Sequence, residues 1–266
     1  MELEYLHDKL YEILEMFDKI CKEEGITYFM DSGTAIGVVR ENDFIPWDDD
    51  IDIAIKRSDY IKFRRIIKNR LPKGYKFIEP IDYEPYFYDF VPHIIDEDVP
   101  LRLETEEDVA YKNYQNRAAI DFIILDDAPD SKMLQKIMKF KIKMFYGMAM
   151  SKRFKVYSEK YSLKEKVLSG ICRFLGAFFE FKDINRMYMK NSMKYYGKKS
   201  RYFIRSNSVL SDCNCYLKKY YRGIKELPFH GGVAPLPVGY DEILRQQYGD
   251  YMTPVRDENH YKKHID

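Results

Sequence analysis

The alternation Asp50-Ile51-Asp52-Ile53-Ala54-Ile55 constrains this chain more than any other stretch. Successive side chains of a strand point to opposite faces. As a strand, the segment turns its isoleucines to one side and sets Asp50 and Asp52 together on the other. A second segment, Ala118-Ala119-Ile120-Asp121-Phe122-Ile123-Ile124-Leu125, is the most apolar strand candidate and carries one internal acid, Asp121. A buried strand tolerates such an acid poorly unless it meets a cation. On a neighbouring strand, Asp121 would complete with Asp50 and Asp52 an oxygen-rich site of the hard type that Mg²⁺ or Mn²⁺ prefers. Phosphoryl transfer needs little else than such a site, because negative oxygens must be neutralised and aligned. Upstream, Ile26 to Met30 reads as a short strand. Asp31-Ser32-Gly33-Thr34 is a turn that opens a helix through about Arg40. Ser32 and Gly33 would present backbone donors to a phosphate there.

Around this nucleus the chain has material for a large core. It has 266 residues, 45% hydrophobic and 33% charged, a balance that excludes intrinsic disorder. Leu3, Leu6, Leu10, Ile13, Leu14, Phe17 and Ile20 predict an amphipathic helix over residues 3–24 that stops at Gly25. Further helices are expected from Ser58 to about Asn69 and from Asp241 to about Tyr248, with strand material at Tyr75 to Ile78 and turns at Gly231-Gly232 and Pro237-Val238-Gly239. The start Met1-Glu2-Leu3-Glu4 does not read as a secretory signal, and no apolar run is long enough for a membrane span. Cys21, Cys172, Cys213 and Cys215 read as reduced thiols rather than a disulfide framework. Residues 131–201 hold 19 Lys and Arg against 4 Asp and Glu, and from Asp130 to about Tyr196 they predict basic amphipathic helices broken near Ser158 and Phe181.

Plainer readings stand beside the chemical ones. An acidic run such as Asp48-Asp49-Asp50 is usually a solvated loop, and these acids equally suit loop orientation or an outer-shell water. A calcium loop is excluded, since its glycine and terminal glutamate are absent at the required spacings. Trp47 either packs its loop on the core or stacks on a base or a choline cation. His260 and His264, at i and i+4, could share a metal on a helical tail, although no third ligand lies near them and a solvated tail is the plainer reading. Tyr83, Tyr86 and Tyr88 suit a choline cage or ordinary core packing. The basic middle suits anionic polysaccharide, an anionic membrane surface or a solvated helical exterior. It has no nucleic-acid reader motif, so no nucleic-acid partner is expected.

The run Gly33-Thr34-Ala35-Ile36-Gly37-Val38-Val39-Arg40, followed by Asp43-Phe44-Ile45-Pro46-Trp47-Asp48-Asp49-Asp50-Ile51-Asp52, resembles the signature of the LicD family, which includes fukutin and fukutin-related protein. Cys21 ahead of Ile26-Thr27-Tyr28, the Ile120-Asp121-Phe122 strand leading to Leu125-Asp126, and Pro237-Val238-Gly239-Tyr240-Asp241 with Tyr248-Gly249-Asp250-Tyr251 agree with it. The resemblance frames nearly the whole chain and leaves residues 131–201 unaligned. It implies an α+β fold with a nucleotidyltransferase-type mixed sheet flanked by helices. The expected organisation is a catalytic core over 1–130, a basic helical subdomain over 131–201 and a C-terminal segment over 202–266 that completes the core. The implied activity is metal-dependent transfer of a phospho-alcohol, best known as phosphocholine from CDP-choline, to a cell-surface glycan or teichoic acid precursor. Asp50, Asp52 and Asp121 match the metal-binding and catalytic acids. Ser32 and Gly33, with Thr34 beside them, match the phosphate-binding turn, Gly37 would permit close helix packing, and Arg40 could pair with a phosphate. The expected cofactor is Mg²⁺, with Mn²⁺ as its substitute. The expected partners are a CDP-alcohol donor, a glycan or lipid-linked glycan acceptor and peripheral contact with an anionic membrane. The expected location is cytoplasmic, at the inner membrane face where peripheral. Two rivals stay open: a nucleotidyltransferase acting on a small hydroxyl-bearing substrate, and a non-catalytic polysaccharide- or lipid-binding protein.

Overall fold

The computed structural model describes residues 2–153 and 162–254. In chain order its regular elements are α1 (Leu3–Glu24), β1 (Tyr28–Met30), α2 (Ser32–Arg40), β2 (Ile51–Lys56), α3 (Arg57–Ile66), β3 (Tyr75–Ile78), β4 (His93–Asp96), α4 (Glu106–Tyr111) and β5 (Ala119–Ala128). They continue with α5 (Lys132–Met150), α6 (Leu163–Ala177), α7 (Phe181–Ser192), β6 (Tyr202–Arg205), β7 (Cys215–Leu217), β8 (Ile224–Phe229), β9 (Gly232–Pro237) and α8 (Tyr240–Tyr248). The chain is α+β, a mixed sheet flanked by helices, and it divides into two compact units. One comprises residues 1–78, 92–125 and 216–266; the other comprises residues 79–91 and 126–215.

The first unit is built on strands in the order β1-β2-β5-β4-β3. Along this order β2 and β5 run parallel, while β1 on β2, β4 on β5 and β3 on β4 are antiparallel. The expected alternation holds along the central pair. Ile51, Ile53 and Ile55 of β2 and Ile120, Phe122 and Ile124 of β5 are buried in one core with the apolar stripe of α1. Phe122 sits at the centre of a ring cluster, with Phe17 of α1 at 5.4 Å, Phe63 of α3 at 5.0 Å and Phe77 of β3 at 5.9 Å. Burying each of these large apolar side chains contributes about 1.5–3 kcal/mol. That face is therefore fixed, and the period of two leaves Asp52 and Asp121 on the other.

Helix α1 ends as the sequence predicts, with Gly25 in the left-handed conformation at φ 61°. The short β4 was not foreseen: its residues, His93-Ile94-Ile95-Asp96, follow a stretch that reads only as tyrosine-rich. That tyrosine-rich stretch belongs to the second unit. There Tyr83 and Tyr88 are buried, Tyr88 lies under the Arg153 guanidinium at 3.7 Å, and Phe90 stacks on Tyr188 at 3.7 Å. The break near Phe181 falls between α6 and α7, whereas the one near Ser158 lies outside the described residues. Among the described residues no helix is long and apolar enough to cross a membrane.

One glycine controls how the loop between α2 and β2 lies on the helix. A Cβ at Gly37 would meet the Asp43 carbonyl at 2.6 Å and the Ile45 nitrogen at 3.0 Å, and backbone cannot swing aside as a side chain can. Gly37→Ala is expected to lower stability by about 1–3 kcal/mol, read as a lower urea midpoint with the slope unchanged.

Candidate functional site

Asp52 and Asp121 are register partners on the parallel β2–β5 pair, and His93 faces Asp121 from the antiparallel β4. Three adjacent strands thus place Asp52, Asp121 and His93 in one row across the sheet. The His93 imidazole donates from Nδ1 to Asp121 Oδ1 at 2.6 Å, and the ring is buried. This histidine is the residue that sequence reasoning missed. Its strand is four residues long, and nothing local separates a site histidine from a core one.

Asp50 lies just before β2. One carboxylate oxygen from each of Asp50, Asp52 and Asp121 falls within 4.8 Å of the others. The same is true of Asp48, Asp49 and Asp50, so two acidic triads share Asp50. Burial pushes the Asp50 carboxyl well above its ordinary 3.8, and the charges of Asp52, Asp48, Asp121 and Asp49 push it further. Burial first and Asp49 second raise Asp48 to about 7. For Asp48 the rise from 3.8 to about 7 corresponds to about 4 kcal/mol against the ionised form at alkaline pH. Its Oδ2 is buried without a hydrogen-bond partner among the described residues.

A structural acid in the same unit looks different. Asp108 receives both Arg102 guanidinium nitrogens at 2.6 and 2.9 Å, the Thr105 amide and hydroxyl, and the Asn113 amide, with Arg102 foremost in holding its carboxyl below the ordinary range. Asp50 faces acids where Asp108 faces donors. A cluster of mutually repelling carboxylates, anchored by an apolar face beneath, is the donor set that a hard divalent cation takes. The residues fit a hard divalent cation such as Mg²⁺ or Mn²⁺, which Asp50, Asp52 and Asp121 would hold between them.

The turn ahead of the acids is tied directly to β2. The Asp31 amide donates to the Asp52 carbonyl at 3.0 Å, and the Asp52 amide donates to Thr34 Oγ1 at 2.9 Å. Asp31 occupies the N-cap position of α2 but makes no side-chain capping hydrogen bond. Ser32 adopts φ 47°, a left-handed conformation uncommon for a side-chain-bearing residue, and such strain gathers where function requires a shape. A Cβ at Gly33 would come within 2.9 Å of Asp48 Oδ2, so a larger residue there would push that carboxylate aside. The first turn of α2 therefore adjoins the acids.

The loop between α2 and β2 is pinned from two sides. His7 of α1 bonds the Asp48 carbonyl at 2.8 Å and stacks on Phe44 at 4.4 Å, while His230 bonds Asp43 at 2.8 Å and Asp8 at 3.1 Å. Trp47 packs partly buried against the core. Arg40 is not drawn to the acids. It lies at the other end of α2, about 12 Å along the helix from Ser32, and contacts Glu41 at 2.6 Å and the Tyr251 carbonyl at 3.2 Å. His260 and His264 lie outside the described residues.

Comparison with known proteins meets this geometry on the same segment. Residues 25–84 match the LicD/FKTN/FKRP nucleotidyltransferase domain. Over 259 residues, 95% of this chain and 92% of the relative, the chain is 26% identical to the lipopolysaccharide cholinephosphotransferase LicD of Haemophilus influenzae. Shorter matches reach uncharacterised proteins of Rickettsia typhi, 36% identical over 67 residues, and Rickettsia prowazekii, 35% identical over 66 residues. The first of these covers 25% of this chain and 22% of the relative; the second covers 25% of each.

The raised acids set a stability prediction for the metal-free protein. A carboxyl whose folded pKa lies above its unfolded value binds more protons when folded, so stability falls as pH rises from about 4 through 7. Asp50→Asn removes the most strongly repelled charge. In chelator at pH 8 it should raise the Tm, by roughly 4 °C or less per kcal/mol relieved in a chain of this size. The gain should vanish at pH 4, where the wild-type acid is protonated. An equal or lower Tm at pH 8 would contradict the repulsion.

Proposed function

The chain belongs to the LicD family, and we propose that it transfers a phosphocholine-type phospho-alcohol from a cytidine diphosphate donor to a hydroxyl of a lipopolysaccharide-like or other cell-surface glycan. The observation that carries this reading is the register of Asp52 with Asp121 and the gathering of Asp50 beside them. The likeness to a cholinephosphotransferase along nearly the full length of both chains supports the choice of group and acceptor.

In this reaction the acceptor oxygen forms a bond to the distal phosphorus of the donor. The bond from that phosphorus to the bridging oxygen breaks, CMP leaves with the electron pair, and the hydroxyl proton must be taken up. Asp121 is suited to receive or orient that proton, because His93 holds its Oδ1 and fixes the direction of the carboxylate. The first-turn amides of α2 at Ser32 and Gly33 offer donors to a phosphate oxygen. Magnesium held by Asp50, Asp52 and Asp121 would supply the positive charge that neutralises the donor phosphates. Asp48 and Asp49 add negative charge around Asp50 and so strengthen its demand for a cation.

Attack at the proximal phosphorus would instead make the protein a nucleotidyltransferase, the activity for which the matched domain is named. The identity of the leaving group separates the two. Offered CDP-choline, CDP-ethanolamine, CDP-glycerol and CDP-ribitol with Mg²⁺, the protein should release CMP from one of them. Pyrophosphate release from nucleoside triphosphates, with every CDP-alcohol inert, would favour the second reaction.

Two substitutions test the residue roles. Asp121→Asn should lower turnover about 10²–10⁴-fold, with circular dichroism unchanged. His93→Ala should weaken Mn²⁺ binding, followed by electron paramagnetic resonance, about 10–100-fold. Unaltered Mn²⁺ affinity in that variant would remove His93 from the site.

A further inference from the structure

Helix α6 is turned inside out. Cys172 and Gly176 are its buried residues, and small side chains let it approach α5 closely: a Cβ at Gly147 would meet Cys172 Sγ at 2.8 Å, and one at Gly176 would meet the Met148 carbonyl at 2.8 Å. Four of its large apolar residues point the other way. Leu163, Val167, Ile171 and Phe174, continued by the capping residue Phe178, are 52% to 79% exposed. At 3.6 residues per turn the five fall within an arc of about 80°, centred opposite Cys172 and Gly176. A contiguous apolar stripe of this kind on a water-soluble unit marks a surface that something covers.

We propose that α6 docks peripherally on an anionic lipid bilayer, laying the stripe into the headgroup and acyl boundary. Charge selects this occupant. On the same wheel Lys164 flanks one side of the stripe while Lys166 and Arg173 flank the other, and all three are exposed. Their stems can run along apolar surface while their cations meet lipid phosphates. The acid within the helix, Glu165, falls on the far side of the wheel, where it closes the capping box with Ser162. The surrounding segment, residues 131–201, carries 19 Lys and Arg against 4 Asp and Glu. A second copy of the chain laid on this face would bring like charges together, and a nucleic acid would engage the cations while leaving the stripe in water.

The test is sedimentation of the full chain with vesicles of phosphatidylcholine alone and of phosphatidylcholine with one-third phosphatidylglycerol. The wild type should bind the anionic vesicles at least about tenfold more tightly than the neutral ones, and rising salt should release it. Phe174→Glu, at a position mostly in water and so harmless to folding, should lower that binding about tenfold or more. Lys166→Ala should lower it about fivefold. Equal binding to both vesicle types, or anionic binding that Phe174→Glu leaves intact, would overturn the proposal. A soluble oligomer that Phe174→Glu converts to monomer, with no vesicle bound by the wild type, would overturn it in favour of self-association.

Discussion

The parallel pairing of β2 with β5 is the contact on which the site depends. It brings Asp52 level with Asp121, two carboxylates that in isolation would drive those strands apart. What holds them is on the other side of the same strands: Ile51, Ile53, Ile55, Ile120, Phe122 and Ile124 are all buried in one core. Each contributes about 1.5–3 kcal/mol, and together they anchor the strands against the mutual repulsion of the acids. A slip of one residue in either strand would turn the acids toward the apolar core. Register and chemistry are therefore the same constraint seen from two faces of the sheet.

Much of this was legible beforehand because strand periodicity is local. The alternation from Ile51 to Ile55 and the apolar run around Asp121 show which side chains share a face, although Asp50 falls one residue ahead of the strand expected to include it. Helix α1 declared itself by spacing and by Gly25, and α2 by the turn that opens it. What stayed hidden is non-local. His93 gains meaning only when β4 is laid against β5, and four residues after a tyrosine-rich stretch carry no mark of that pairing. His7 and His230 likewise reach the acidic loop from positions 41 and 187 residues away from their partners.

The fate of the individual acids shows the same division. Spacing put Asp50 and Asp52 together and treated Asp48 and Asp49 as loop residues. In the fold, Asp48 and Asp49 fall with Asp50 within the same 4.8 Å that gathers Asp50, Asp52 and Asp121. A loop has no period from which such convergence could be read. Arg40 belongs to the same motif as Gly33, yet one helix length separates them and its contacts are with Glu41 and Tyr251.

The grip of His7 on the acidic loop has a bearing on how such a protein can change over time. It holds residue 48 through the carbonyl, an atom that every amino acid possesses. The scaffold thus positions the loop without asking what side chain it carries there. Substitutions at this point can alter the charge beside Asp50 while the loop keeps its course, so that charge can change without first dismantling the fold.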